Sequence, residues 1–74
     1  MTNKEYREGY IKDAIDERER QLVHFDYMRQ YYLTEGAKSS LGSDNAEAAV
    51  KQLLMKTAET EDQLRFFKGL KVDD

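Results

Sequence analysis

The sequence predicts an all-α protein: an antiparallel two-helix hairpin, with a long first helix and a shorter second one, that dimerises into a four-helix bundle. Three observations lead there. The 74 residues include no proline, the residue that most strongly interrupts a helix. The strong helix formers Glu, Lys, Arg, Gln, Ala and Leu are abundant throughout. Apolar residues recur three and four apart, and the strict alternation of a half-buried strand is nowhere sustained.

The elements follow in order within a single domain spanning residues 1–74. Thr2 followed by Glu5 has the form of a capping box, and Gly36, after Leu33, Thr34 and Glu35, reads as a helix stop. The first helix is therefore expected over about 3–35, which at about 1.5 Å per residue makes a rod close to 50 Å long. Gly9 weakens its first turns by about 1 kcal/mol relative to alanine. Residues 36–43 hold most of the turn-forming residues and read as the loop. Asp44 with Glu47, or Ser43 one step earlier, caps a second helix over about 44–68 that Gly69 ends. Residues 70–74 form a short acidic tail.

The hairpin follows from two matching seams. In the first helix Ile11, Ile15, Arg18, Leu22, Phe25, Arg29 and Tyr32 alternate steps of four and three, the spacing of a coiled-coil seam. In the second, Ala46, Val50, Leu53, Thr57, Thr60, Leu64 and Phe67 repeat it. A short connection folds seams of equal length against each other in antiparallel fashion, setting Tyr32 opposite Ala46 at the loop and Ile11 opposite Phe67 at the far end. Two arginines in the seam need anions. This register brings Arg18 near Glu61 and Arg29 near Glu47, and these pairs are expected to fix the register more than to stabilise it, because desolvation offsets most of their attraction.

A surface remains over. Tyr6, Tyr10, His24, Met28 and Tyr31 form a second stripe beside the seam of the first helix, and Tyr27 joins Met28, Tyr31, Tyr32 and His24 in an aromatic patch. One partner helix covers roughly 100° of arc, so the second helix does not bury both stripes. A two-fold mate would, as a dimer of hairpins, and tyrosine and methionine are also enriched where different proteins meet. His24 in such a contact would make association sensitive to pH.

Composition excludes several classes of function. Twelve basic against 15 acidic residues give a net charge of −3, without the basic excess that neutralises nucleic-acid phosphates. Arg18 and Arg29 lie in the seam and Arg20 does not, so the three do not share one face, and single-strand binding by stacked tyrosines is a lesser alternative. No apolar run approaches the roughly 20 residues that cross a bilayer, and residues 1–10 have no apolar signal segment; a cytoplasmic location is expected. With one histidine and no cysteine no metal site is expected, and Gln21 stands where a Glu-x-x-His ligand pair would need a glutamate. The Asp13, Asp16, Glu17 and Glu59, Glu61, Asp62 clusters suggest acid–base chemistry, but Glu8 with Lys12, Asp16 with Arg20, Glu47 with Lys51 and Glu61 with Arg65 are the ordinary four-apart pairs of an exposed helix. Ser39, Ser40 and Ser43 have no base nearby, and the glycines of 36–43 lack a phosphate-cradling pattern. No catalytic residue and no cofactor is expected.

By composition alone this form resembles that of many small bacterial and phage regulators, inhibitors and scaffold pieces. The expectation is a non-catalytic module that forms a homodimer and acts by binding another protein through Tyr6, Tyr10, His24, Tyr27, Met28 and Tyr31, with a scaffold or connector subunit as the alternative.

Overall fold

The computed structural model describes residues 3–71. Three helices follow in order, α1 (Asn3–Tyr32), α2 (Glu35–Leu41) and α3 (Ser43–Gly69), and no strand occurs among the described residues. The expected seam positions all lose solvent, but so do residues the seam omits: Ala14 is the one buried residue of α1, and Met28 and Ala49 are half-buried. All seven seam positions in α1 are half-buried, and in α3 Ala46, Thr60 and Leu64 are buried while Val50, Leu53, Thr57 and Phe67 are half-buried. The ring of Tyr10 lies 6.3 Å from that of Phe67, near the far ends of the chain. Tyr32 and Leu33 share a depression with Ser43, Glu47 and Val50 at the other end. α1 and α3 therefore run antiparallel, side by side.

Two features differ from the two-helix hairpin. First, residues 36–43 are not an open loop: seven residues form α2. The signal lies one step before Gly36. Thr34 adopts an extended backbone, and its Oγ1 accepts from the N–H of Ala37 at 3.2 Å while donating to the Tyr31 carbonyl at 2.7 Å. That hydroxyl ends α1 and starts α2, so Gly36 falls inside a helix instead of terminating one. A helix of two turns is marginal by itself; this one is held by Ala37, which is fully buried. Second, α3 has 27 residues against 30 in α1, so it is nearly as long as its neighbour. Its N-cap is Gly42, with no side-chain capping bond, and not Ser43 or Asp44. The expected end at Gly69 is where α3 stops. The expected cap at Thr2 and most of the 70–74 tail lie outside the described residues.

One residue turns the corner between α2 and α3. Gly42 has φ 88° and ψ 146°, a region open in practice only to glycine. Its N–H donates to the Lys38 carbonyl at 2.9 Å, and its own carbonyl accepts from Ala46 at 3.0 Å. The Asn45 side chain donates to the Leu41 carbonyl at 2.8 Å, closing an orphan acceptor at the end of α2.

The result is a rod and not a ball. The Cα atoms extend 55 × 18 × 12 Å with a radius of gyration of 17.1 Å, where a compact chain of this length has about 11 Å. The rod consists of α1 and α3 side by side, with α2 packed mainly on α3. Among the large apolar side chains described, only Leu64 is buried; the other buried apolar positions are Ala14, Ala37 and Ala46.

Replacing Gly42 by alanine is expected to cost about 1–3 kcal/mol of stability, read as a lower urea midpoint by circular dichroism at fixed protein concentration. Gly9→Ala is expected to act in the opposite sense, stabilising by about 0.5–1 kcal/mol, because a Cβ at Gly9 meets no atom within 4 Å. A Gly42→Ala midpoint equal to that of the parent chain would remove the corner from the account.

Candidate interaction surface

The contact between α1 and α3 is fastened by Arg18, in a way the expected ion pairs do not describe. Its guanidinium carbon sits 4.5 Å from the centroid of the Phe67 ring. Nε donates to Gln63 Oε1 at 3.1 Å, and Nη1 donates to the Ala14 carbonyl at 3.1 Å. The partners are an aromatic face, an amide and a backbone oxygen, and Glu61 is not among them. Gln63 and Phe67 are four apart in α3 and so lie on one flank, toward which the long arginine stem extends from the seam. Glu61 projects from the other flank, exposed. Arg29 likewise pairs within its own helix, Nη2 donating to Asp26 Oδ1 at 2.8 Å, and Asp26 also accepts from Gln30 at 3.0 Å. Glu47 faces Lys51, one turn on in α3, at 3.9 Å. Near partners in the same helix displaced the expected cross-helix ones, because a pair three or four residues apart is preassembled by helix geometry. The neutral glutamine and the ring also spare a carboxylate the cost of leaving water.

The expected interaction residues are placed as follows. Tyr6, Tyr10, His24, Tyr27 and Tyr31 are all exposed, and Met28 is half-buried. Tyr10 and Tyr27 keep 68% and 65% of their surface in water. Some of these rings touch neighbours: Tyr10 leans on Phe67, Tyr31 packs edge-on against Tyr32 with centroids 5.3 Å apart, and His24 lies 6.0 Å from Phe25. The contact of Tyr10 with Phe67 puts the flank of α1 that bears Tyr10 and Met28 on the same face of the rod as the Gln63 and Phe67 flank of α3. Tyr27 projects farther round, away from α3, so the six residues form a band along α1 and not one compact patch. Further apolar side chains that the sequence reading did not single out are also exposed, among them Leu54, Met55 and Phe66 on α3. Their spacing matches no seam, which left them without a signal in the sequence.

The chain carries much surface for its size. It exposes 5904 Å², against about 4,700 Å² for a folded monomer of 8.7 kDa by the usual scaling with mass. Depressions on the rod are open grooves. One of about 340 Å³ is lined by Glu8, Ile11, Lys12, Ile15 and Leu70, and another of about 330 Å³ by Gln52, Met55, Lys56 and Glu59. Among the described residues no three His, Cys, Asp or Glu side chains gather as a metal set would, and no helix is long and apolar enough to cross a membrane.

Arg18→Ala is expected to cost about 1 kcal/mol or somewhat more, through the lost contact with Phe67 and the lost packing of its stem, whereas Glu61→Gln should stay within about 0.5 kcal/mol of the parent chain. Urea melts of the two variants decide the point. A Glu61→Gln loss equal to that of Arg18→Ala would return the arginine to the carboxylate.

Comparison of the chain with models of known protein families gives no match, and comparison with curated proteins and with solved structures gives none either.

Proposed function

We propose that this protein is a non-catalytic interaction module that works as a homodimer and binds another protein. One observation carries the reading: the pairing of α1 with α3 leaves a band of tyrosines along α1 in water. Stable domains bury their apolar faces between at least two layers. The surplus of roughly 1,200 Å² over a compact monomer is more than the roughly 800 Å² that each partner hides in an ordinary protein interface. A second copy docked on that band would cover it, giving the four helices of a two-fold dimer. Tyrosine suits that role, since its ring is a large rigid contact and its hydroxyl tolerates a wet rim. The outer side of α3, with Met55 and Phe66 exposed, remains for a different protein in the manner of a regulator, inhibitor or adaptor.

The second reading, a scaffold or connector subunit, draws on that same exposure. Apolar side chains project from opposite edges of the rod, Val23 on α1 and Met55 on α3, and contacts on two edges propagate where a contact on one edge closes.

Light scattering on a sizing column, over a wide concentration range, is expected to give twice the chain mass of 8.7 kDa, and Tyr31→Glu is expected to shift the species toward monomer. Mass that keeps growing with concentration selects the assembly subunit. A folded monomer at every concentration removes the homodimer.

A further inference from the structure

The outer side of α1 has an order that tyrosine content alone does not convey. Starting at Tyr6 and stepping alternately by four and three, every position reached up to Tyr31 is exposed. That is the spacing of a coiled-coil seam, and at about 100° per residue the stripe is turned well past a right angle from the seam that faces α3. Read from its two ends, the stripe is complementary to itself. Two tyrosines stand at each end; inside them come Asp13 and Glu17 on the N-terminal side, and Arg20 and His24 on the C-terminal side.

We propose that two copies of the chain dock antiparallel along this outer seam, α1 against α1, centred between Arg18 and Glu19. The proposal deepens the homodimer reading above and rests on it. With that centre, Tyr6 meets the partner's Tyr31 and Tyr10 meets the partner's Tyr27. In the middle, Asp13 meets the partner's His24 and Glu17 meets the partner's Arg20. Each contact occurs twice by symmetry, as an isologous interface requires. Each also joins the two alternating kinds of seam position to one another, as antiparallel coiled coils do.

The arrangement excludes its competitors. Side by side in parallel, Glu17 would face the partner's Glu17 and Arg20 the partner's Arg20, like charges that cost rather than stabilise. A slip by one heptad in one direction sets Asp13 against the partner's Glu17; in the other, it sets Asp13 and Glu17 against tyrosines. Only the centred antiparallel register matches aromatic to aromatic and acid to base throughout. The charged groups are available for it. Asp13 and Glu17 have no ion pair among the described residues, and Arg20, held by Asp16 at 2.9 Å, keeps 81% of its side chain exposed. With five N–H donors, a guanidinium serves two carboxylates. Because the two seams of α1 are far apart around the helix, the dimer is an open row, α3 to α1 to α1 to α3, rather than a closed square, and the outer side of each α3 stays free.

A charge-swap cycle on the full chain tests the register. Glu17→Arg alone and Arg20→Glu alone each place like charges at two symmetric contacts and are expected to raise the dimer dissociation constant about tenfold or more in low salt. Glu17→Arg with Arg20→Glu restores opposite charges and is expected to return within about threefold of the parent value. Circular dichroism of all three checks that the helices persist. An independent readout uses the absence of cysteine from the chain: under mild oxidation Tyr10→Cys mixed with Tyr27→Cys should form a disulfide-linked pair, while Tyr10→Cys alone should not. A parent chain that stays monomeric overturns the homodimer and the seam together. A parent dimer that tolerates both single swaps, or that crosslinks Tyr10→Cys to itself, overturns this seam and leaves the homodimer standing.

Discussion

Two helices side by side hide one stripe each, and every other property of this molecule follows from that limit. Apart from Leu64, the residues fully buried in α1 and α3 are small, Ala14, Ala46 and Thr60, while the large seam side chains such as Ile11, Phe25 and Phe67 are only half-buried. So little full burial shields little apolar area. The larger rings are left at the edges or outside. A chain with no disulfide to staple it and so small a core falls among the miniature domains that need further support, and that support has to come from surface the protomer itself does not cover.

Within the protomer, direction is supplied by polar detail more than by bulk. Arg18 reaches from α1 to Gln63 and Phe67 and fixes how far one helix slides along the other. At the opposite end the hydroxyl of Thr34 and the backbone of Gly42 define the corner. Neither device adds much energy by itself; each removes alternatives. The buried alanines, threonine and leucine would fit in several registers if nothing marked one of them.

Most of the long-range organisation was legible in the sequence, because helical periodicity and the absence of proline are local signals summed over many residues. The seam positions from Ile11 to Tyr32 and from Ala46 to Phe67 all lose solvent, although Ala14, the most buried residue of α1, was not among them. What escaped was decided by single side chains. Gly36 and the serines at 39 and 40 look like a loop until Thr34 is taken as a cap, and a seven-residue helix is too short to show periodicity. The partner of Arg18 escaped for a different reason: charge counting favours a carboxylate, whereas the structure supplies a ring and an amide from residues four apart. For the exposed band the sequence identified the tyrosines, but membership of a face depends on the rotation of α1 against α3, which becomes visible in the contact of Tyr10 with Phe67.

The corner at Gly42 also orders events in time. Residues joined across α1 and α3 are few positions apart beside α2 and 57 apart where Tyr10 meets Phe67. The entropy of closing a loop grows with its length, so pairing advances from the corner outward like a zipper, each new layer shortening the excursion needed for the next. Such a topology folds through a series of small closures, and its least protected end is the one where the start of α1 meets the end of α3.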